Sequence, residues 1–247
     1  MAVALDLPPP PVTLAGETAL FLDFDGTLVE LAPTPDAVAV AAELPALLAR
    51  LAERLHGRIA IVSGRGAAEV AALLGDPQLL VAGSHGIETR QPDGTIDAPL
   101  PGDFAALVAT MDAFAAEHPG VLVERKPFGA ALHWRRAPDA EAAAQALAAQ
   151  LADRHGLKLQ PGKAVAELRP AGIDKGGAIA ALMARPDFAG ATPIFLGDDV
   201  TDEAGFARVA DLGGAGVLIG EPRDTAARYR LPDVAAAHAW LAATADA

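Results

Sequence analysis

At 247 residues the chain can bury a sizeable core as one large domain or two small ones, and its formal net charge of −13 argues against a nucleic-acid footprint, which needs a basic face. It has no cysteine, which excludes a disulfide framework and a thiolate metal site. No apolar stretch approaches the roughly 20 residues of a membrane span, and Met1–Val12 lacks the charged and apolar regions of a signal peptide, so a soluble cytoplasmic protein is expected.

Pro8–Pro11 reads as a short extended, disordered lead-in. The first predicted strand, Ala19–Phe24, is an apolar run that empties into Asp23-Phe24-Asp25-Gly26-Thr27. In an extended chain the period of two sends Asp23 and Asp25 toward the same side. Like charges that close repel unless a cation lies between them or one holds a proton. The pair therefore suits a hard-metal site, an acid–base pair or both, and it also suits a solvated Asp-rich turn.

An amphipathic helix follows over Glu43–Leu55, with Leu44, Leu47, Leu48, Leu51 and Leu55 at helical spacing. A strand at Arg58–Val62 delivers Ser63-Gly64-Arg65 to the start of a helix at Ala67–Leu74, and a strand follows at Leu79–Ala82. A small hydroxyl followed by glycine at such a junction can hold a phosphate oxygen through its side chain and adjacent N–H groups, and it is also an ordinary helix cap. This rhythm predicts a parallel sheet with helices on both faces.

The middle of the chain differs. A helix is predicted at Phe104–Glu117, strands at Val121–Glu124 and Gly129–Arg135, a helix at Asp139–His155, and strands at Leu157–Gln160 and Ala164–Leu168. That αββαββ order suits an open antiparallel sheet backed by helices on one face. Pro99–Gly102 and Pro170–Gly172 read as the linkers on either side. The expected division is a discontinuous core, 1–101 with 171–247, and an inserted domain, 102–170.

The parallel rhythm then resumes with a helix at Lys175–Met183, a strand at Thr192–Leu196, a helix at Thr201–Val209, a strand at Gly216–Ile219 and a closing helix at Val234–Ala243. Asp174-Lys175-Gly176-Gly177 opens the first of these helices, where Lys175 suits a phosphate, a crowded carboxylate or plain solvent. The strand Thr192–Leu196 delivers Gly197-Asp198-Asp199-Val200-Thr201-Asp202-Glu203. A capping box at Thr201 accounts for part of that acidity but not for Asp198 and Asp199 as well.

In this order and at these junctions, the four clusters resemble the haloacid dehalogenase-like hydrolases. Asp23-Phe24-Asp25-Gly26-Thr27 resembles the first motif, Ser63 the second, Lys175 the third, and Gly197-Asp198-Asp199 with Asp202 the fourth. The αββαββ insertion resembles that superfamily's type IIB cap. Gly197–Glu203, Gly83-Ser84-His85-Gly86-Ile87-Glu88, the run Glu124–Arg135 and Glu167-Leu168-Arg169-Pro170 are similar to the trehalose-6-phosphate phosphatase family, with Trp134 standing where a tyrosine is more usual.

The resemblance implies an α/β fold: a Rossmann-like parallel-sheet core with an inserted α+β cap. It further implies Mg²⁺-dependent hydrolysis of a small sugar phosphate, trehalose 6-phosphate, through an aspartyl-phosphate. Asp23 would be the nucleophile and Asp25 the general acid and base. Ser63 and Lys175 would steady the phosphoryl oxygens, with Gly64 beside them. Asp23, Asp25 (through its backbone carbonyl) and Asp198 would hold Mg²⁺, with Asp199 and Asp202 behind them. Lys126, His133, Arg135 and Glu167 would read the sugar from the cap, and Arg65 and His85 would stand at the core–cap seam. The alternatives are phosphatases for sucrose phosphate or a phosphoglycerate glycoside, a phosphotransferase, and a silent binding protein on the same fold. Neither nucleic acid nor membrane is an expected partner, and no apolar surface stripe points to an oligomer.

Overall fold

The computed structural model describes residues 7–12, 17–32, 37–98, 104–126, 128–170 and 173–247. The expected linker residues Pro99–Gly102 and Ala171–Gly172 lie outside that set, as do residues 1–6. The Pro8–Pro11 run is tied down, contrary to the disorder expected of it: its carbonyls accept from the Arg230 N–H and from Trp240 Nε1, both at 3.1 Å. The chain forms two compact units, Met1–Ala98 with Asp174–Ala247, and Pro99–Ile173.

The first unit begins with β1 (Thr18–Leu22), α1 (Leu44–Arg54), β2 (Ile59–Val62), α2 (Ala67–Leu73), β3 (Leu80–Gly83), β4 (Glu88–Arg90) and β5 (Ile96–Asp97). β1 stops at Leu22, short of the expected Phe24. The chain turns there, with the N–H groups of Leu28 and Val29 both donating to the Phe24 carbonyl at 2.9 and 3.0 Å. β4 and β5 are absent from the sequence reading, because two or three residues are too short to show a period.

The second unit comprises α3 (Ala105–Glu117), β6 (Leu122–Lys126), β7 (Gly129–His133), α4 (Glu141–His155), β8 (Leu157–Gly162) and β9 (Val165–Pro170). Its four strands are antiparallel in the order β6-β7-β9-β8. α3 packs on β6 and β7, and α4 on β8 and β9. Leu107, Met111, Leu132, Trp134, Ala144, Leu151 and Leu168 are among the residues of this unit's own core. The ladder sets Glu124, Ala131, Glu167 and Gln160 in one cross-strand row. Alternation along the strands puts that row on the face turned from the helices.

The chain then returns to the first unit through α5 (Lys175–Met183), β10 (Thr192–Gly197), α6 (Glu203–Asp211), β11 (Ala215–Ile219), β12 (Tyr229–Leu231) and α7 (Val234–Asp246). α6 starts later than the expected Thr201 because a 3₁₀ turn, Val200–Asp202, precedes it. The capping box belongs to Asp199 and Asp202, not Thr201.

The sheet order is β12-β11-β10-β1-β2-β3-β4-β5, parallel from β12 to β3 and antiparallel beyond. Both faces of β1, β2, β3 and β11 are buried, so apolar residues run continuously along those strands. Leu20, Leu22, Ile59 and Ile61 join the core beneath α1, α2 and α7, while Ala19, Phe21, Ala60 and Val62 join the one beneath α5 and α6. From β1 the chain winds outward one way through β2 and β3, then returns to the other side of β1 through β10. The carboxyl ends of β1 and β10 therefore border a topological switch point, the place where open α/β sheets bind ligands.

Candidate active site

The register Leu22↔Leu196 sets the ends of β1 and β10 side by side, so the turns that carry Asp23 and Asp198 leave the sheet next to each other. Asp23 is buried, and its N–H donates to the Leu196 carbonyl at 2.9 Å. Lys175, the first residue of α5, is buried as well, and its Nζ lies 2.7 Å from Asp23 Oδ1 and 2.6 Å from Asp202 Oδ1. α5 starts there because Asp174 caps it, accepting from the Gly177 N–H at 2.8 Å. The other oxygen of Asp202 accepts from the N–H groups of Asp198 and Asp199 at 3.0 and 2.9 Å. Asp202 therefore braces both the lysine and the loop after β10.

Carboxylate oxygens of Asp23, Asp198 and Asp202 all lie within 4.8 Å of one another. Three carboxylates around one ammonium leave a net charge of −2 in a mostly buried place. Burial raises Asp23 well above the usual carboxylate range, with Lys175 countering and Asp202 adding to the rise. Burial, then Asp202, pushes Asp198 up to about 6. Burial alone would depress Lys175, but Asp23 and Asp202 together hold it above its ordinary value. A hard divalent cation matches both the oxygen donors and the missing charge, so the residues present fit such an ion.

The sign of the pH dependence follows. Raised acids stabilise the cation-free fold where they are protonated, and that contribution fades as pH climbs from 3.8 through about 6. A cation needs the ionised form and so stabilises in the opposite direction. The gain in thermal midpoint on adding a divalent cation should be large at pH 7.5 and small at pH 5. Cation affinity should fall roughly tenfold per unit below the Asp198 value if one proton is displaced. Melting curves with and without the ion at both pH values check this.

Asp25 does not join the cluster, contrary to the same-side expectation, because β1 ends before it. Its carboxylate accepts from Arg65 Nε at 2.7 Å and Nη2 at 2.9 Å, a two-pronged ion pair, and Arg65 also pairs with Glu69. Arg65 follows β2 beside the buried Ser63, whose hydroxyl accepts from the Arg65 N–H at 3.1 Å. The Ser63–Arg65 turn is clipped in place from its far side. Ser84 N–H donates to the Arg65 carbonyl at 2.7 Å and His85 N–H to that of Ser63 at 2.8 Å. Ser84 and His85 adopt φ of 51° and 61°, strained values for side-chain-bearing residues. Glu88 accepts from the Ala67 N–H at 2.8 Å and so closes the start of α2.

In the second unit, Lys126 Nζ lies 3.0 Å from Glu167, and His133 Nε2 lies 2.9 Å from Glu124. Glu124 also stands 3.9 Å from Lys126, which links the four into one polar patch. Glu124 was not singled out from the sequence, although its place two residues before Lys126 on one strand was a usable signal. Arg135 is set apart. It lies exposed past the end of β7, beside a pocket of about 430 Å³ lined also by Trp134, Pro138, Glu141, Lys163 and Ala164.

The sequence profile of a family described as trehalose-phosphatase matches residues 21–235, which takes in every cluster above. The chain belongs to the trehalose-phosphatase family. It is 46% identical over 207 residues to a probable trehalose-phosphate phosphatase of Sinorhizobium fredii, covering 83% of this chain and 78% of that one. It is 41% identical over 231 residues to the trehalose-6-phosphate phosphatase of Escherichia coli, covering 92% and 86%. Among solved structures, a trehalose-6-phosphate phosphatase related protein superposes with a TM-score of 0.77 at 27% identity, over 91% of this chain and 95% of that one. The fold is accordingly that of a haloacid dehalogenase-like hydrolase, a Rossmann-like core with an inserted α+β unit. No helix among the described residues is long and apolar enough to cross a membrane.

Proposed function

We propose that the chain is a Mg²⁺-dependent phosphatase that hydrolyses trehalose 6-phosphate to trehalose and phosphate, with Asp23 as nucleophile. The observation that carries this reading is the convergence of Asp23, Asp198 and Asp202 around Lys175 at the sheet's switch point. Family membership supplies the substrate. Asp23 attacks phosphorus as the bond to the sugar oxygen breaks, and Asp25 delivers a proton to that departing oxygen. Asp25 then takes a proton from the water that hydrolyses the aspartyl-phosphate and frees Asp23. The Arg65 fork pairs with both oxygens of Asp25 in its ionised form, so that pair opens before Asp25 carries the proton it delivers. Ser63 and Lys175 steady the phosphoryl oxygens through the transfer. Asp23, Asp198 and the Asp25 carbonyl would hold Mg²⁺, which when bound offsets the repulsion between the anionic nucleophile and the anionic phosphate.

The inserted unit is the sugar-reading cap in this proposal. Its patch of Lys126, Glu167, Glu124 and His133 offers the charged donors and acceptors that a disaccharide's hydroxyls need. Phosphate release from trehalose 6-phosphate, glucose 6-phosphate and sucrose 6-phosphate, with and without Mg²⁺, tests the reading. The expected result is a kcat/KM at least roughly tenfold higher for trehalose 6-phosphate, and none of it without the ion. A clear preference for either other ester would overturn the substrate assignment.

Lys126→Ala and Glu167→Ala should each lower kcat/KM on trehalose 6-phosphate by about one to two orders of magnitude, the loss of a hydrogen bond to a charged group. Nitrophenyl phosphate, which lacks the sugar, should be hydrolysed almost as before. Equal losses on both substrates would show that the pair holds the fold and does not read the sugar.

A further inference from the structure

We propose that Arg223 is a positioning residue that sets the Asp198 loop for the cation. The proposal rests on reading the acidic cluster as a Mg²⁺ site. Arg223 lies in the connection between β11 and β12, far in sequence from the motifs. Its Nη2 donates to the Asp199 carbonyl at 2.9 Å and reaches the Asp198 carbonyl at 3.5 Å. Its Nη1 pairs with Glu203 and donates to the Asp224 carbonyl at 3.2 Å. The second oxygen of Glu203 accepts from the Ala226 N–H at 2.8 Å, so the start of α6 and residues 223–226 grip each other from both directions.

The consequence for Asp198 is geometric. Asp202 holds the N–H groups of Asp198 and Asp199, and Arg223 holds the carbonyls of the same two residues. The Asp198–Asp199 peptide unit is held at its N–H by Asp202 at 2.9 Å and reached at its carbonyl by Arg223 at 3.5 Å. The next carbonyl is held by Arg223 at 2.9 Å, which limits rotation of the loop and with it the direction of the Asp198 carboxylate. Only the guanidinium fork spans carbonyls on one side and a carboxylate on the other. An ammonium at the same place is a single point charge without that planar fork. Arg223 contacts backbone and Glu203, so its effect on chemistry passes through the loop.

The test is calorimetric titration of Mg²⁺ into the full chain and into Arg223→Gln and Arg223→Lys, alongside the Mg²⁺ dependence of phosphate release. Loss of a group that orients a metal ligand should weaken Mg²⁺ binding about 10- to 100-fold. The Mg²⁺ concentration for half-maximal rate should rise by the same factor, while kcat at saturating Mg²⁺ stays near that of the parent. Glu203→Gln should weaken binding in the same sense, and the double variant should lose less than the sum of the two. Unchanged Mg²⁺ affinity in a folded Arg223→Gln protein would overturn the proposal. So would a kcat deficit that no Mg²⁺ concentration repairs. If Arg223→Gln does not fold, Arg223→Lys, which keeps the charge but not the fork, decides in the same way. A parent chain that takes up no Mg²⁺ would overturn the metal reading and this inference together, whereas a binding parent with an indifferent variant overturns this inference alone.

Discussion

Asp23→Asn is expected to lower phosphatase turnover by at least about four orders of magnitude while leaving the protein folded. The amide is not a nucleophile for phosphorus and is a poor cation ligand, yet it matches the carboxylate in volume and can still accept from Lys175 at the 2.7 Å position. Burial above all, with Asp202 and Asp198 adding to it, raises Asp23, and the neutral amide removes that buried charge, so three negative charges and one positive charge become two and one. The cation-free variant should therefore melt at or above the temperature of the parent near pH 7.5, a gain in stability from the change that removes activity. Steady-state assays and melting curves on one preparation check both halves. Turnover retained in a folded Asp23→Asn protein would remove Asp23 from the nucleophile's place. Asp25→Asn separates the paired acids, since nitrophenolate leaves without a proton. It should still transfer phosphate to Asp23 from nitrophenyl phosphate and then stall, with label trapped on the acid-quenched protein.

Gly26→Ala is expected to cost about two orders of magnitude or more in activity, although the change adds one methyl group. Gly26 has φ of +78°, and a Cβ built there overlaps the Asp198 carboxylate. Two penalties combine: left-handed backbone for alanine, about 1–2 kcal/mol, and displacement of a cation ligand. Gly57→Ala separates them. Gly57 has φ of +80°, but nothing lies within 4 Å of its built Cβ. It should lose similar stability and keep its rate. If both variants lose activity equally, backbone strain is the cause, and the Asp198 carboxylate does not depend on the space above Gly26.

Much of this site was legible along the chain. Asp23, Ser63, Lys175 and Asp198 each follow or begin an element whose apolar pattern is local, and each structural element does end or start within a few residues of its expected boundary. The αββαββ order of the insertion was equally legible, because each helix and strand there has enough residues to show its period. The shortest strands were not. Glu88–Arg90, Ile96–Asp97 and Tyr229–Leu231 exist because a neighbouring strand offers them hydrogen bonds, and their own residues carry no period.

By itself the sequence determined which chemical groups are present and at which strand ends they stand, since hydrophobic periodicity and turn residues act over a few neighbours. Tertiary structure decided which of those ends meet. β10 pairs with β1, and that pairing delivers Asp198 and Asp202 to Asp23 and Lys175 while leaving Asp25 to Arg65. It also decided that Arg223, without any motif of its own, holds the acidic loop, and that the space above Gly26 is filled by Asp198. The physical reason is that charges and hydrogen-bonding groups act over a few ångströms of space. Sheet order, which no local pattern encodes, determines which residues remote in the chain come that close.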